Sequence, residues 1–265
     1  MGLLNLPVIE SSLRRVQREF EIINQQLGWQ RDPMSDEVIA NLLAGYAYVD
    51  VLVQRDIDVF AMGKHKHLLQ LNNIVLCGVD PTRRAEFSGL IKATENRFYD
   101  EPGGGIEDVV EWHARHLDQS VWRRAAGLYV RALSKPQLFI EGNHRTGALL
   151  ASYVLLRDGK PPFVLAVENA VAYFEPSTVL RDTSKLGPMS LFRLPGINRR
   201  FARFLQDQAD PRYLLAPDAL TIPVPSHRPF PDHRDCASPA LNDHDVVAPV
   251  APPLFEENPH VRQDP

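Results

Sequence analysis

Five consecutive residues near the middle of the chain, residues 141–145, include a carboxylate, a carboxamide, an imidazole and a guanidinium. A helix is predicted directly after them, because Leu149, Tyr153 and Leu156 follow at helical spacing. Asn143 is the predicted N-cap of this helix. The first turn beyond a cap offers unpaired backbone N–H groups and the positive end of the helix dipole. The segment is therefore suited to bind an anion.

The side chains of this segment predict which anion it would bind. Arg145 adds a forked guanidinium, which can hold two phosphate oxygens at once. Glu141 lies two residues before the predicted cap, and a carboxylate beside an anion site needs a cation between the two. Mg²⁺ that bridges Glu141 and a polyphosphate would meet that need. A simpler interpretation makes Glu141 a solvated turn residue, Asn143 a cap and Arg145 a surface charge.

Residues 139–147, FIEGNHRTG, resemble the signature of the Fic/Doc (Fido) family, His-Pro-Phe-x-Asp/Glu-Gly-Asn-Gly/Lys-Arg-x-x-Arg. Its Phe, Glu, Gly, Asn and first Arg are all matched, and a looser likeness extends over residues 60–165. Most members transfer AMP from ATP to protein hydroxyls, and some transfer phosphoryl or phosphocholine groups. The resemblance implies ATP and Mg²⁺ as cofactors, with Glu141 as the metal ligand and with ligand contacts from Gly142, Asn143, Arg145 and Thr146.

The chain departs from the signature at four positions. Gln137 stands where the family has its catalytic His, and a carboxamide cannot take a proton from a hydroxyl. Leu138 replaces the adjacent Pro, and Ala148 replaces the second Arg. His144 occupies a small-residue position, where it would obstruct the anion site or line it. If it lines the site, the helix start favours a neutral imidazole and His144 becomes a candidate base. The alternative is an exposed histidine without a role.

The resemblance also implies the fold class, which is mainly α, a Fido-type helical bundle with a short β-hairpin flap. The composition adds an extended Pro-rich C-terminal tail. We expect N-terminal helices in 1–60, with one helix over 9–27 and either one long helix or two over 35–62. The expected core is 61–205, with the flap at about 86–102 and the motif at 137–148. The expected tail is 206–265, because 216–265 contain half of the 22 prolines.

The predicted flap has Ser88 to Lys92 and Asn96 to Tyr99 as its two strands, although turn signals also allow a surface loop. In the family, this edge aligns a target protein by strand addition, so the expected partner is a protein docked at about Ser88 to Lys92. Helices are predicted over 68–76, 106–116 and 118–133 on either side of the flap.

Composition limits the remaining function classes. A net charge of −4, without a visible basic stripe, argues against broad nucleic-acid binding. Cys77 and Cys236 are far apart and lack metal-ligand spacing, so a disulfide framework or a cysteine zinc site is not expected. No signal peptide or membrane span is predicted, and we expect a cytoplasmic protein without a membrane partner. The sequence does not indicate the oligomeric state.

Three hypotheses follow from the sequence. The first is a Fido-type transferase with altered chemistry, and the second is a nucleotide-binding pseudoenzyme. The third is an interaction protein that uses the hairpin and the tail as contacts. Because Glu141 and Arg145 are retained, the first two are favoured. We therefore expect a nucleotide-binding or phosphate-binding protein whose transfer activity is atypical or absent.

Overall fold

The computed structural model describes residues 2–186, 188 and 190–216, without the side chains of Ser177, Thr178 and Leu191. These residues are mainly helical, which confirms the predicted fold class at that level. The helices are α1 Leu6–Gln25, α2 Asp36–Gln54, α3 Lys66–Cys77, α4 Pro81–Glu86, α5 Ser88–Asp100, α6 Ile106–Ala114, α7 Val121–Leu133, α8 Asn143–Arg157, α9 Val167–Asp182, α10 Ser190–Asp207 and the 3₁₀ turn Pro211–Tyr213.

The first two helices begin at polar caps that the sequence provides. The Asn5 side chain accepts a hydrogen bond from the Val8 N–H at the start of α1, and Ser35 accepts one from Val38 at the start of α2. Residues at helical spacing then turn to the core, such as Leu13 and Phe20 in α1. Both helices pack against the rest of the bundle, α1 on α9 and α2 on α3 and α8.

Helix α8 lies at the centre of the fold. All of its residues from Thr146 to Leu156 are buried, and it packs against α7, α2 and α3. A helix that is apolar all round is expected in the middle of a bundle. Gly45 lets α2 approach α8 closely, because a Cβ there would lie 2.5 Å from Leu149 Cδ1. Of the two arrangements expected over 35–62, the structure has a single helix that is continuous from Asp36 to Gln54, with no interruption at Gly45 or Asp50.

The predicted hairpin flap at 86–102 is wrong, because residues 88–100 form helix α5. Thr94 and Phe98 are one helical turn apart and both are buried, while Lys92 pairs with Glu95 at 3.3 Å across one turn. The three-residue separation of Lys92 and Glu95 fits a helix, because residues three apart in a strand point to opposite faces. Strand addition at Ser88 to Lys92 loses its basis, and a protein partner at this segment stays a prediction.

The segment after α10 returns to the N-terminus. Leu4 and Leu214 form an isolated antiparallel bridge, and the Tyr213 side chain is buried. The rest of the predicted tail, 217–265, lies outside the described residues. None of the helices in the described part of the chain is long and apolar enough to cross a membrane.

Candidate functional site

The turn before α8 depends on a glycine. Gly142 has a φ of 73° and a ψ of 6°, which is the left-handed region. A Cβ at this position would also lie 2.9 Å from Asn72 Nδ2. Asn72 belongs to α3 and is completely buried. Its Nδ2 donates to the Glu141 carbonyl at 2.9 Å and to Thr146 Oγ1 at 3.0 Å, which fastens the turn to the bundle.

Asn143 holds the loop together and is not the N-cap that the sequence predicts. It is the first residue of α8, and Gly142 precedes the helix. Its side-chain oxygen accepts a hydrogen bond from the Phe139 N–H at 2.8 Å, and its Nδ2 donates to the Phe139 carbonyl at 2.8 Å. Both polar atoms of this buried amide are therefore engaged within the loop, and the amide fixes the backbone of the turn.

Gln137 is fixed by the end of α7. Its Nε2 donates to the Leu133 carbonyl at 3.1 Å, and its own carbonyl accepts from Arg97 Nε at 2.9 Å. Arg97 lies on α5. The segment predicted as a flap is therefore a helix, and it supports the loop at Gln137. Phe98 reinforces the contact by stacking on Phe139 at 5.6 Å.

Glu141 and Thr146 differ in their exposure. Glu141 is exposed, and it forms no ion pair within 4 Å among the described residues. Thr146 is buried and its hydroxyl already accepts from Asn72, so its predicted ligand contact has little access. No group of three His, Cys, Asp or Glu residues in the described part of the chain is arranged to hold a metal ion. A metal at Glu141 would need most of its oxygen ligands from a phosphate and from water.

His144 points into the bundle, which answers the question that the sequence leaves open. Its Nε2 lies 3.2 Å from the Tyr129 hydroxyl, and its ring meets the Tyr173 ring edge-on at 4.4 Å. Burial lowers the pKa of His144 to about 3, and the positive charges of Arg31 and Arg145 act in the same direction. The imidazole is therefore neutral near pH 7, and its conjugate acid is too strong for an effective general base.

Arg145 is the half-buried cation of the motif. Its Nη1 donates to the Val75 carbonyl at 3.2 Å, and no carboxylate lies within 4 Å of the guanidinium among the described residues. Burial lowers its pKa, and the charge of Glu141 partly offsets that effect. A desolvated guanidinium without an ion-pair partner would be stabilised by an anionic ligand.

A cavity of about 330 Å³, which we call the α8 cavity, lies beside His144 and Arg145. This volume falls within the range of about 300–1,000 Å³ that is typical of small-molecule sites. Aromatic and aliphatic side chains dominate its lining, which includes Leu13, Phe20, Leu42, Phe163, Tyr173 and Phe174. Arg31 and Asp32 add charged groups from the loop between α1 and α2.

Arg31 is a lining residue that the sequence analysis did not identify. Its Nη2 donates to the Phe174 carbonyl at 3.2 Å, and its guanidinium lies 5.3 Å from the centre of the Phe174 ring. The Asn24 side chain fixes the loop by bonding both the N–H and the carbonyl of Arg31, at 2.8 and 3.1 Å. The arginine lies outside any helix and far from the motif in sequence, so spacing gave no signal for it.

The structure thus divides the predicted site residues into two sets. His144 and Arg145 line the α8 cavity together with Ala148. The others, Gln137, Glu141, Gly142, Asn143 and Thr146, shape or surround the turn and do not line the cavity. The arrangement is suited to bind an amphipathic anion, with the charged end near the guanidiniums and the apolar part against the aromatic rings.

Comparison with protein-family models, with curated proteins and with solved structures found no match. The likeness to the Fic/Doc (Fido) signature therefore remains a prediction from the sequence.

Proposed function

We propose that the protein binds a nucleotide, or another phosphate-bearing ligand, at the loop and helix of residues 137–148. The apolar part of the ligand occupies the α8 cavity, and its phosphate end meets Arg145. The observation that carries this proposal is the Arg145 guanidinium, which is half-buried at the cavity and has no carboxylate within 4 Å among the described residues.

The electrostatics of the cavity support an anionic ligand. Arg31 and Arg145 both line it, and burial lowers the pKa of each guanidinium. An anion placed between them would restore the interactions that burial removes. Carboxylates and phosphates both fit a guanidinium, and the resemblance of 139–147 to a nucleotide-using family favours phosphate.

Mg²⁺ belongs to the proposal as a companion of the phosphate. Glu141 is the residue that would hold it, since its carboxylate is exposed beside the turn. One protein carboxylate combined with substrate phosphates is a common arrangement for Mg²⁺. The ion would neutralise phosphate charge near Glu141, and Gly142 would let the backbone approach without a Cβ in the way.

Binding without group transfer is the form of the proposal that the geometry favours. A transfer to a protein hydroxyl needs a group that accepts the hydroxyl proton. Gln137 is a carboxamide, and His144 has a pKa of about 3 and a hydrogen-bond partner in Tyr129. Neither residue is a competent base near pH 7, which supports a nucleotide-binding pseudoenzyme over an AMP transferase.

Calorimetric titration of the protein tests this function. The ligands are ATP, CTP, GTP, UTP and CDP-choline, each with and without Mg²⁺, and the variants are Arg145→Gln, Arg145→Lys and Glu141→Ala. Arg145→Gln is expected to weaken binding by the roughly 1.5–3 kcal/mol of a lost charge-assisted hydrogen bond, which is about tenfold or more. Arg145→Lys should recover part of the affinity, and Glu141→Ala should remove the Mg²⁺ dependence.

Arg55→Gln is the matched control, because Arg55 is exposed at the end of α2 and does not line the α8 cavity. It should bind like the unmodified protein. Thermal unfolding of each variant identifies any that fail to fold. Absence of binding to all five ligands would contradict the proposed function. Full affinity in a folded Arg145→Gln variant would contradict the assignment of the site to Arg145.

A further inference from the structure

A second cavity is lined by residues of α7 and by no residue of the motif. It has a volume of about 470 Å³ and is bounded by α6, α7, α10 and the segment after α9, and we call it the α6–α10 cavity. Basic side chains are prominent in its lining, namely Arg115, His116, Arg123, Arg131 and Lys185. Neither Arg31 nor any residue of the motif lines it.

The charges around this cavity are not balanced. Asp108 pairs with both Arg131 and Lys185, and Arg115 pairs with Glu111. Arg123 has no carboxylate within 4 Å among the described residues. Four cationic side chains therefore share two carboxylates, and Lys185 is completely buried. The surplus of positive charge favours an anionic ligand.

Four buried polar atoms in the lining have no hydrogen-bond partner among the described residues. Two are donors, Arg123 Nε and Arg131 Nε, and two are acceptors, Gln119 Oε1 and Asn198 Oδ1. The Asn198 residue is only 7% exposed. Each such group left unpaired in the folded protein is destabilising, and native structures contain few of them. Four in one cavity indicate a ligand that carries both acceptors and donors.

One wall of the cavity is an aromatic surface. Gly127 of α7 lets the Trp112 indole lie directly against the helix, because a Cβ at that position would be 1.8 Å from Trp112 Cη2. Trp112 also stacks on His116, with ring centres 4.2 Å apart. A ligand that fits has an apolar face for the indole in addition to its polar groups.

We propose that the α6–α10 cavity binds a sugar phosphate. The phosphate accepts from the guanidiniums of Arg123 and Arg131, and the sugar hydroxyls donate to the side-chain oxygens of Gln119 and Asn198. The C–H face of the sugar packs on Trp112. Inorganic phosphate would satisfy the donors only, and a neutral sugar would leave Arg123 without an anion. This site is separate from the α8 cavity and does not depend on the function proposed there.

Calorimetry with three probes tests the site on the full chain, using ribose 5-phosphate, inorganic phosphate and ribose. Ribose 5-phosphate is expected to bind about tenfold or more tightly than inorganic phosphate, since only the former reaches both amide oxygens. Ribose should give no measurable heat. Arg123→Gln and the nearly isosteric Asn198→Asp, which places a carboxylate near the phosphate, should each weaken ribose 5-phosphate binding by about tenfold or more. Arg123→Lys should restore part of it.

The control is again Arg55→Gln, which should leave the affinity for ribose 5-phosphate unchanged. Thermal unfolding shows which variants are folded. No binding of ribose 5-phosphate to the unmodified protein would overturn the proposal. Folded Arg123→Gln and Asn198→Asp variants that bind ribose 5-phosphate as tightly as the unmodified protein would also overturn it. Equal binding of inorganic phosphate would overturn the sugar assignment. Loss of binding in Arg145→Gln with no loss in Arg123→Gln would move the ligand to the α8 cavity and refute this site.

Discussion

Individual side chains decide what the motif can do. The sequence predicts His144 and Arg145 as site residues, and the structure places both side chains in the lining of the α8 cavity. The sequence could not identify the environment of His144, because Tyr129 and Tyr173 come from helices far away in the chain. Burial among those rings makes a weak base of a residue that the sequence offered as a candidate base.

The depressed pKa of His144 predicts a specific pH dependence of stability. The unfolded chain binds a proton at this histidine below its ordinary pKa of 6.5, while the folded protein does so only near 3. Stability is therefore complete above pH 6.5 and is lost as the pH falls from 6.5 towards 3. Between pH 7 and pH 5, His144 should account for a loss of about 2 kcal/mol in the free energy of unfolding.

Urea unfolding of the unmodified protein and of His144→Gln at pH 7 and pH 5 measures this effect. The variant should lose less stability on acidification, because its glutamine does not titrate. His67 and His113 also have pKa values lowered mainly by burial, but they are present in both proteins and cancel in the comparison. An identical pH dependence of the two proteins would contradict the buried, neutral state of His144.

At helix starts and turns, the sequence predicts part of what the structure shows. It predicted a helix after the motif, and α8 begins at Asn143. It assigned the cap to Asn143 because Asn is a frequent cap, although the amide of this residue closes the loop onto Phe139. Asn72 was missed, although a buried amide in the apolar helix α3 is itself a signal of a polar contact.

Comparing Gly142→Ala with Gly159→Ala separates two reasons for a glycine at position 142. One is its positive φ, and the other is the close approach of Asn72. Both positions have positive φ, 73° and 68°, but a Cβ at Gly159 would meet nothing within 4 Å. Gly159→Ala should lose about 1–2 kcal/mol of stability through backbone strain alone. Gly142→Ala should lose about 1 kcal/mol more, since its methyl group displaces the Asn72 amide from its hydrogen bonds.

Equilibrium unfolding in urea gives both values, and nucleotide titration of the folded variants adds a second result. Gly142→Ala should also weaken ligand binding, because the turn beside Arg145 shifts. Gly159→Ala should not. Equal losses of stability in the two variants would show that the Asn72 contact contributes nothing.

The wrong prediction of a hairpin shows that a segment's position relative to a family motif is a weak guide to its secondary structure. The sequence predicts strands at Ser88 to Lys92 and Asn96 to Tyr99 from their place before the motif and from nearby turn residues. Their own pattern, with Ile91, Thr94 and Phe98 at helical intervals, matches helix α5. The helix then supports the motif loop through Arg97 and Phe98, a contact over 40 residues of chain that no local pattern contains.

At the scale of the whole molecule, α7 connects the two cavities. Tyr129 supports His144 at the α8 cavity, while Gly127 and Arg131 line the α6–α10 cavity. The sequence predicted the helical class and most helix positions, because apolar periodicity is a local property. It did not predict either cavity, since each is formed by residues from at least three separate elements.

Photolabelling with 8-azido-ATP, mapped by mass spectrometry of the digested protein, tests nucleotide binding in the α8 cavity, because it reports both the binding and its location. If nucleotide binds in the α8 cavity, covalent label that unlabelled nucleotide displaces is expected in peptides that line this cavity. These are the peptides containing Arg31 to Met34, His144 to Ala148 or Tyr173 and Phe174. Labelling should fall in Arg145→Gln and stay unchanged in Arg55→Gln. Nucleotide binding in this cavity would be contradicted if unlabelled nucleotide did not displace the label. It would also be contradicted if the label appeared only in peptides away from the cavity.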